Sequence, residues 1–223
     1  MVLIQKQKTR AFSIATITLP GSPKDLIPLL SFRDRVEHLL VRIGWRRRRY
    51  IVEPALYRIG SPMPDSPVIV TANYKLTVDT VRAACAGMDL WVLVLDTRGI
   101  NVWCAAGKGT FGTDEIERMV RTSRLTDIVK HRRLILPQLG APGVSAHRVK
   151  KITGFTVIYG PVRIADLRDF LAADMNATSD MRHVRFTLSD RISVTPIELV
   201  LSWQLFLAAA LAGLGLWAIH AAP

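Results

Sequence analysis

The chain has 223 residues, of which 49% are apolar, and 30 Lys and Arg against 18 Asp and Glu give it a formal net charge of +12. That length holds one full domain and something smaller, not two large domains. The charge invites a nucleic-acid partner. Its one dense cluster, Arg46 to Arg49, lacks glycine-aromatic RNA signatures, finger-type Cys/His spacing and a reading helix, so no nucleic acid is expected.

In chain order, residues 1–44 form an N-terminal lead-in segment. Pro20, Pro23 and Pro28 interrupt it, and no secretory signal peptide is expected there. From Leu26 to Ile43 apolar residues recur at helical spacing and stop at Gly44. Residues 45–196 carry the main domain. Tyr50 to Glu53 is a short strand candidate, and four prolines between 54 and 67 mark a loop. A buried strand follows at Val68 to Ala72, a helix at 77–86, and a strand at Leu90 to Leu95. Next come a short helix at 102–106 and a longer one at 113–123, with Thr113 as its N-cap. Strands at Arg133 to Leu136 and Phe155 to Tyr159 and a helix at Ile164 to Ala172 complete the pattern. Strands alternating with helices predict an α/β fold, a Rossmann-like parallel sheet covered on both faces.

The last part differs in kind. From Leu199 to Ile219 there are 21 residues without a charge. As a helix that run is about 31 Å long, enough to cross a hydrocarbon core. Trp203 and Trp217 stand near its ends, as interfacial aromatics do. Residues 197–219 are therefore expected to form a C-terminal transmembrane helix. All 30 basic residues precede the uncharged run, so the positive-inside rule puts the chain in the inner (cytoplasmic) membrane with its domain in the cytoplasm. An anionic leaflet, or an acidic redox partner, also accounts for the basic excess.

There are two cysteines. Cys85 reads as a small packed helical residue. Cys104 lies in Asn101-Val102-Trp103-Cys104-Ala105-Ala106-Gly107-Lys108, just past the carboxyl end of a strand, where open α/β sheets place ligands. The small residues after it leave the thiol approachable by a large flat partner. A helix start favours the thiolate, a soft donor suited to a late transition metal. His131 and His147 stand apart from it in sequence, which leaves zinc poorly supported, and two thiols cannot hold a four-cysteine iron–sulfur cluster. A metal that brings four equatorial ligands needs only one from the protein, and corrinoid cobalt is such a metal. The expected cofactor site is therefore Thr71, Asn73 and residues 101–108, with Cys104 as catalytic residue and cobalt ligand. Asn101 is a candidate cap for the short helix and Trp103 a candidate to pack it on the domain. Thr71 and Asn73 either face the corrin or close strand-end hydrogen bonds. Val102 and Gly109 stand where a phosphate loop needs Gly and Ser/Thr, which rejects that motif around Lys108.

The string at 101–108 resembles, without mismatch, the hallmark of the membrane-bound corrinoid protein family of bacterial and archaeal mercury methylation. Ser66 to Lys75, Leu134 to Gly143 and Thr153 to Val162 extend the likeness over roughly residues 45–200. The same blocks resemble, more distantly, the corrinoid-binding subunits of the CO dehydrogenase/acetyl-CoA synthase pathway. The first resemblance implies a cap helix whose cysteine is the lower axial ligand of cobalt in a cobalamin-like corrinoid. It implies methyl transfer to inorganic Hg(II), forming methylmercury. It also implies a ferredoxin-like iron–sulfur protein as electron donor and a methyltetrahydrofolate-type methyl donor acting through a methyltransferase. Further membrane helices are implied too, so the chain reads as truncated. A thiolate below cobalt pushes electron density toward the methyl group, the character an electrophile such as Hg(II) requires. The second resemblance implies instead a methyl carrier of the acetyl-CoA pathway. Those subunits lack the cap-helix cysteine, add a cluster-binding cysteine segment and are soluble. A third reading, a non-catalytic membrane-anchored basic binding protein, needs no such string.

Overall fold

The computed structural model describes residues 22–44 and 49–221, so residues 1–21 and the basic cluster from Arg46 to Arg48 lie outside the described residues. The sheet has six strands, β1 (Lys24–Asp25), β2 (Leu56–Ile59), β3 (Val68–Ala72), β4 (Leu90–Leu95), β5 (Arg133–Leu136) and β6 (Thr156–Tyr159), in the order β1-β2-β4-β3-β5-β6. Every neighbouring pair is parallel except β2 with β4. The expectation of an all-parallel sheet is thereby corrected to a mostly parallel one. Residues 60–67 join β2 to β3, and a parallel crossover needs about a dozen residues or more, so β2 must run the other way.

β3 and β4 are buried at every position because helices cover both faces of the sheet. The pleat splits their side chains between two cores. Val70, Leu93 and Leu95 pack with Phe111 and Phe155 under α3 (Val102–Gly107), α4 (Thr113–Thr122), the short α5 (Leu125–Ile128) and α6 (Ala146–Thr153). Ile69, Val92 and Val94 pack with Ile59 and Phe170 under α2 (Lys75–Ala84) and α7 (Leu167–Ala172).

α1 (Phe32–Arg42) is shorter than the helix expected over 26–43. Pro28 lies ahead of it, and a capping box sets its start: Asp34 N donates to Ser31 Oγ (3.1 Å) and Ser31 N donates to Asp34 Oδ2 (2.9 Å). α1 is fastened to α2 by charge. Lys75 Nζ lies 2.7 Å from carboxylate oxygens of both Asp34 and Asp79, Arg82 reaches the same two residues at 2.8 Å, and His38 Nε2 lies 2.7 Å from Asp79 Oδ2. Burial works against the Asp34 charge, but hydrogen bonds from Lys75, Ser31 and Arg82 outweigh it and hold the carboxyl well below the usual range.

Other expectations need adjustment. Tyr50 to Glu53 is not a strand; it makes one isolated bridge, Ile51 to Tyr74, and the strand is β2, inside the proline-marked loop. Leu56, Tyr57 and Ile59 are buried there, and burial overrides the turn signal. Gly112, not Thr113, is the N-cap of α4, because Thr113 Oγ1 is engaged in accepting from Ser145 N (2.9 Å). The helix expected at 164–172 is a 3-10 turn, Ile164–Asp166, running into α7.

α8 (Leu188–Ala221) begins well before the expected segment 197–219. Thr187 and Asp190 set its start, with Asp190 N donating to Thr187 Oγ1 (3.3 Å) and Thr187 N to Asp190 Oδ2 (3.0 Å). Further along, Trp203, Leu205, Phe206, Leu211 and Trp217 are exposed. Among the described residues no helix is long and apolar enough to cross a membrane. The expected segment 197–219 is helical, lying within α8.

Candidate corrinoid site

β3 leads through α2 to its neighbour β4, whereas β4 leads back past β3 to β5, so the chain reverses its direction of travel across the sheet between β3 and β5. Open α/β sheets bind ligands at the carboxyl ends of strands at that reversal. A cavity of about 590 Å3 lies there, lined by Thr71 of β3, Leu136 of β5, Thr77 and Thr80 of α2, and Asn101 to Trp103 around the start of α3.

The residue after β3 builds the entry to α3. Asn73 is buried, and its Oδ1 accepts from the N–H groups of Thr97 (3.1 Å) and Gly99 (3.0 Å), while its Nδ2 donates to Asp96 Oδ1 (3.2 Å). Its side chain thus holds the 96–99 turn, in which Arg98 and Gly99 take positive φ (56° and 71°). Thr71 is buried as well and lines the cavity. From the turn the chain reaches Asn101, the N-cap of α3, whose side chain accepts from Cys104 N (3.0 Å). Cap and cysteine are thereby tied together.

α3 turns Val102, Ala105 and Ala106 into the core and leaves Trp103, Cys104, Gly107 and Lys108 exposed. The two alanines do not open the thiol to solvent; they let α3 lie on the 3-10 segment Gln138–Gly143. Gly107, the third of the small residues expected to leave the thiol approachable, is exposed. A Cβ added at Gly107 would meet nothing within 4 Å, and Cys104 itself is a free, exposed cysteine. Trp103 does not pack onto the domain; it is 55% exposed, and its ring centroid lies 6.4 Å from that of Phe186. Lys108 is the C-cap of α3. Cys85 is fully buried, and burial pushes its thiol up to about 11.

Among the described residues, no group of three or more His, Cys, Asp and Glu side chains is arranged to hold a metal ion. His131 is engaged elsewhere, its Nε2 lying 2.8 Å from Ser66 O. Cys104 is not itself among the residues that line the cavity; it follows Asn101 to Trp103, which do. One exposed soft donor on a helix that starts at the cavity wall suits a metal that arrives with its own equatorial ligands, so the residues fit a corrinoid. Sequence reasoning missed Arg163, which lines the cavity; it sits in no motif. Gly143, which in the sequence reads as a turn residue with possible backbone contact to a cofactor, has a packing role: an added Cβ there would run into Phe111 O and stand 3.0 Å from Ala106 Cα. That glycine lets the 3-10 segment seat α3.

The fold is a Rossmann-like α/β domain with a cavity at its reversal point, where such sheets bind ligands. Comparison with known proteins narrows the class. Residues 24–171 match the CO dehydrogenase/acetyl-CoA synthase delta subunit family (CdhD), and the chain belongs to that family. It is similar to the acetyl-CoA decarbonylase/synthase complex subunit gamma of Methanopyrus kandleri, at 36% identity over 122 residues, 54% of this chain and 26% of the relative. The corresponding subunit of Methanocaldococcus jannaschii is 34% identical over 149 residues, 66% of this chain and 29% of the relative. The corrinoid/iron-sulfur protein large subunit of Moorella thermoacetica is 32% identical over 151 residues, 64% of this chain and 33% of the relative. The chain thus spans a third or less of the length of these relatives. The finer resemblance, to mercury methylation, is not shown by these matches.

Proposed function

We propose that the chain binds a corrinoid at the carboxyl edge of β3 and β5 and takes part in methyl transfer, with Cys104 on α3 as the cobalt ligand. When bound, the corrinoid supplies a cobalt-held methyl group for transfer to an acceptor. The observation that carries the reading is the exposed Cys104 thiol on a capped helix beside the cavity. Asn101 fixes the first turn of α3, Asn73 holds the turn before it, and Thr71 meets the ligand from the end of β3. With the low-potential electrons and the methyl group supplied from outside, protein partners are required. A ferredoxin-like electron donor and a methyltransferase using a methyltetrahydrofolate-type donor fill those roles. The Methanopyrus and Methanocaldococcus relatives are named as subunits of a complex, which supports partnership.

The relatives named above support the methyl-carrier role of the acetyl-CoA pathway ahead of mercury methylation. The second reading, transfer to Hg(II), is favoured by Cys104. If bound there, the cofactor would receive from Cys104 a strongly electron-donating thiolate, which would suit an electrophilic acceptor more than a carrier's exchange. The exposed apolar side chains of α8, Trp203 and Trp217 among them, support attachment to the inner membrane with the α/β domain in the cytoplasm. The test is a single-turnover assay of the methylated, corrinoid-loaded chain offered either Hg(II) or an acetyl-CoA synthase. Methylmercury formed by the wild type and lost in Cys104→Ala supports the mercury reading. Transfer to the synthase alone, unchanged in Cys104→Ala, supports the carrier. Absence of corrinoid binding overturns both.

A further inference from the structure

Arg163 is the single basic side chain among the described residues lining the cavity. It follows β6, and its Nη2 lies 3.1 Å from Oδ1 and 3.3 Å from Oδ2 of Asp190, in the first turn of α8. The two side chains are 42% and 43% exposed. A pair so open to water contributes little, so little holds Arg163 to Asp190. Asp190 does not depend on Arg163: its Oδ2 also accepts from Thr187 N (3.0 Å) and the Thr187 hydroxyl (2.7 Å). The segment leading to α8 touches the cavity's rim at further points. Val162 N donates to Met181 O (2.8 Å), Arg182 Nη1 donates to Gln138 Oε1 (3.1 Å), and Phe186 packs on Trp103. Phe186, half exposed, takes φ +46°, a conformation unfavourable for a bulky residue.

We infer that Arg163 is the cavity's anion clamp, taking the phosphodiester of a nucleotide-tailed corrinoid in exchange for Asp190. The inference rests on the corrinoid reading above. A nucleotide-tailed corrinoid carries one phosphodiester, and cobinamide, the same macrocycle without the nucleotide, carries none. A guanidinium presents a planar fork that matches two phosphate oxygens. The rest of the polar lining offers the hydroxyls of Thr71, Thr77 and Thr80, the Asn101 amide, the Trp103 indole N–H and one carboxylate, Asp166, with no second cation among the described residues. Exchange also releases Asp190, so the entering ligand loosens one fastening of the segment that runs into α8.

The experiment titrates the full chain in mild detergent with cobalamin and, separately, with cobinamide, following binding by the corrinoid's visible spectrum. Arg163→Ala is expected to weaken cobalamin about tenfold, as loss of one charge-assisted bond does, and to leave cobinamide unchanged, which also shows that the variant is folded. Arg163→Lys is expected to recover part of the loss, and Asp190→Asn to tighten cobalamin alone. Equal weakening of both ligands, or of neither, overturns the clamp and leaves the corrinoid reading standing. Failure of the wild type to bind either ligand overturns the corrinoid reading and the clamp with it.

Discussion

Replacing Gly143 by alanine tests how α3 is held. The glycine is the last residue of the 3-10 segment Gln138–Gly143. Its new methyl would overlap Phe111 O and lie 3.0 Å from Ala106 Cα and 3.1 Å from Ala106 O. All three obstacles are backbone atoms, which no rotamer change can clear, so either the segment or α3 must move. Overpacking of this kind costs about 1–3 kcal/mol, and rigid obstacles place Gly143→Ala toward the upper end, about 2–3 kcal/mol. For a domain of this size that lowers Tm by roughly 5–10 °C. Gly109→Ala is the control. That glycine has φ +74° and empty space around its Cβ, so the cost is the left-handed backbone alone, about 1–2 kcal/mol. Thermal unfolding followed by circular dichroism gives the stability, and the alkylation rate of Cys104 reports whether α3 has shifted. A Gly143→Ala protein that melts no lower than Gly109→Ala and keeps the wild-type alkylation rate would refute the packing argument.

In the folded chain at pH 8, iodoacetamide should label Cys104 alone and reach Cys85 only in urea, because Cys85 is buried and its thiol is pushed up to about 11. Rapid labelling of Cys85, read by peptide mass, contradicts that placement. The α1–α2 ion cluster sets a pH window. Asp34 is depressed in the fold, so its contribution is present above the unfolded carboxylate pKa near 3.9 and is lost as pH falls through the lower folded value. Burial works against the charge of Lys75, yet Asp34 and Asp79 raise its pKa overall, so its contribution is present below about 10.4 and is lost as pH rises through the folded value. Urea midpoints measured from pH 2 to 7 should fall on the acid side, and Asp34→Asn should flatten that fall; an unaltered acid limb in the variant contradicts it.

The legible parts of the fold were those in which local pattern and burial agree. β3, β4 and β5 are short apolar runs bounded by polar turns, and both faces of each are covered. α3 was legible through Asn101, whose cap bond to Cys104 N closes within the segment. β2 was hidden by the prolines around it, although Leu56, Tyr57 and Ile59 are buried. α6 was missed because Val149 is its one fully inward residue in a run of basic side chains, too little to mark a helical face. At the site, Ala105 and Ala106 were assigned to the wrong neighbour: they serve the 3-10 segment behind α3, and only that long-range contact reveals it. Trp103, a candidate to pack α3 on the domain, is 55% exposed, and its ring partner, Phe186, arrives from a distant segment. Arg163 leaves no trace in sequence, since the cavity that it lines is assembled from β3, β5, α2 and α3 together.

The most direct measurement is the visible spectrum of the corrinoid-loaded full chain beside that of Cys104→Ala. Alanine is smaller and favours helix, and residue 104 is exposed, so the variant should remain folded and its melting curve should confirm it. The expected result is a sulfur-ligated cobalt spectrum in the wild type that shifts to a form without that ligand in Cys104→Ala. The same spectrum in both proteins, each loaded with one corrinoid per chain, would contradict the assignment of Cys104 as the cobalt ligand.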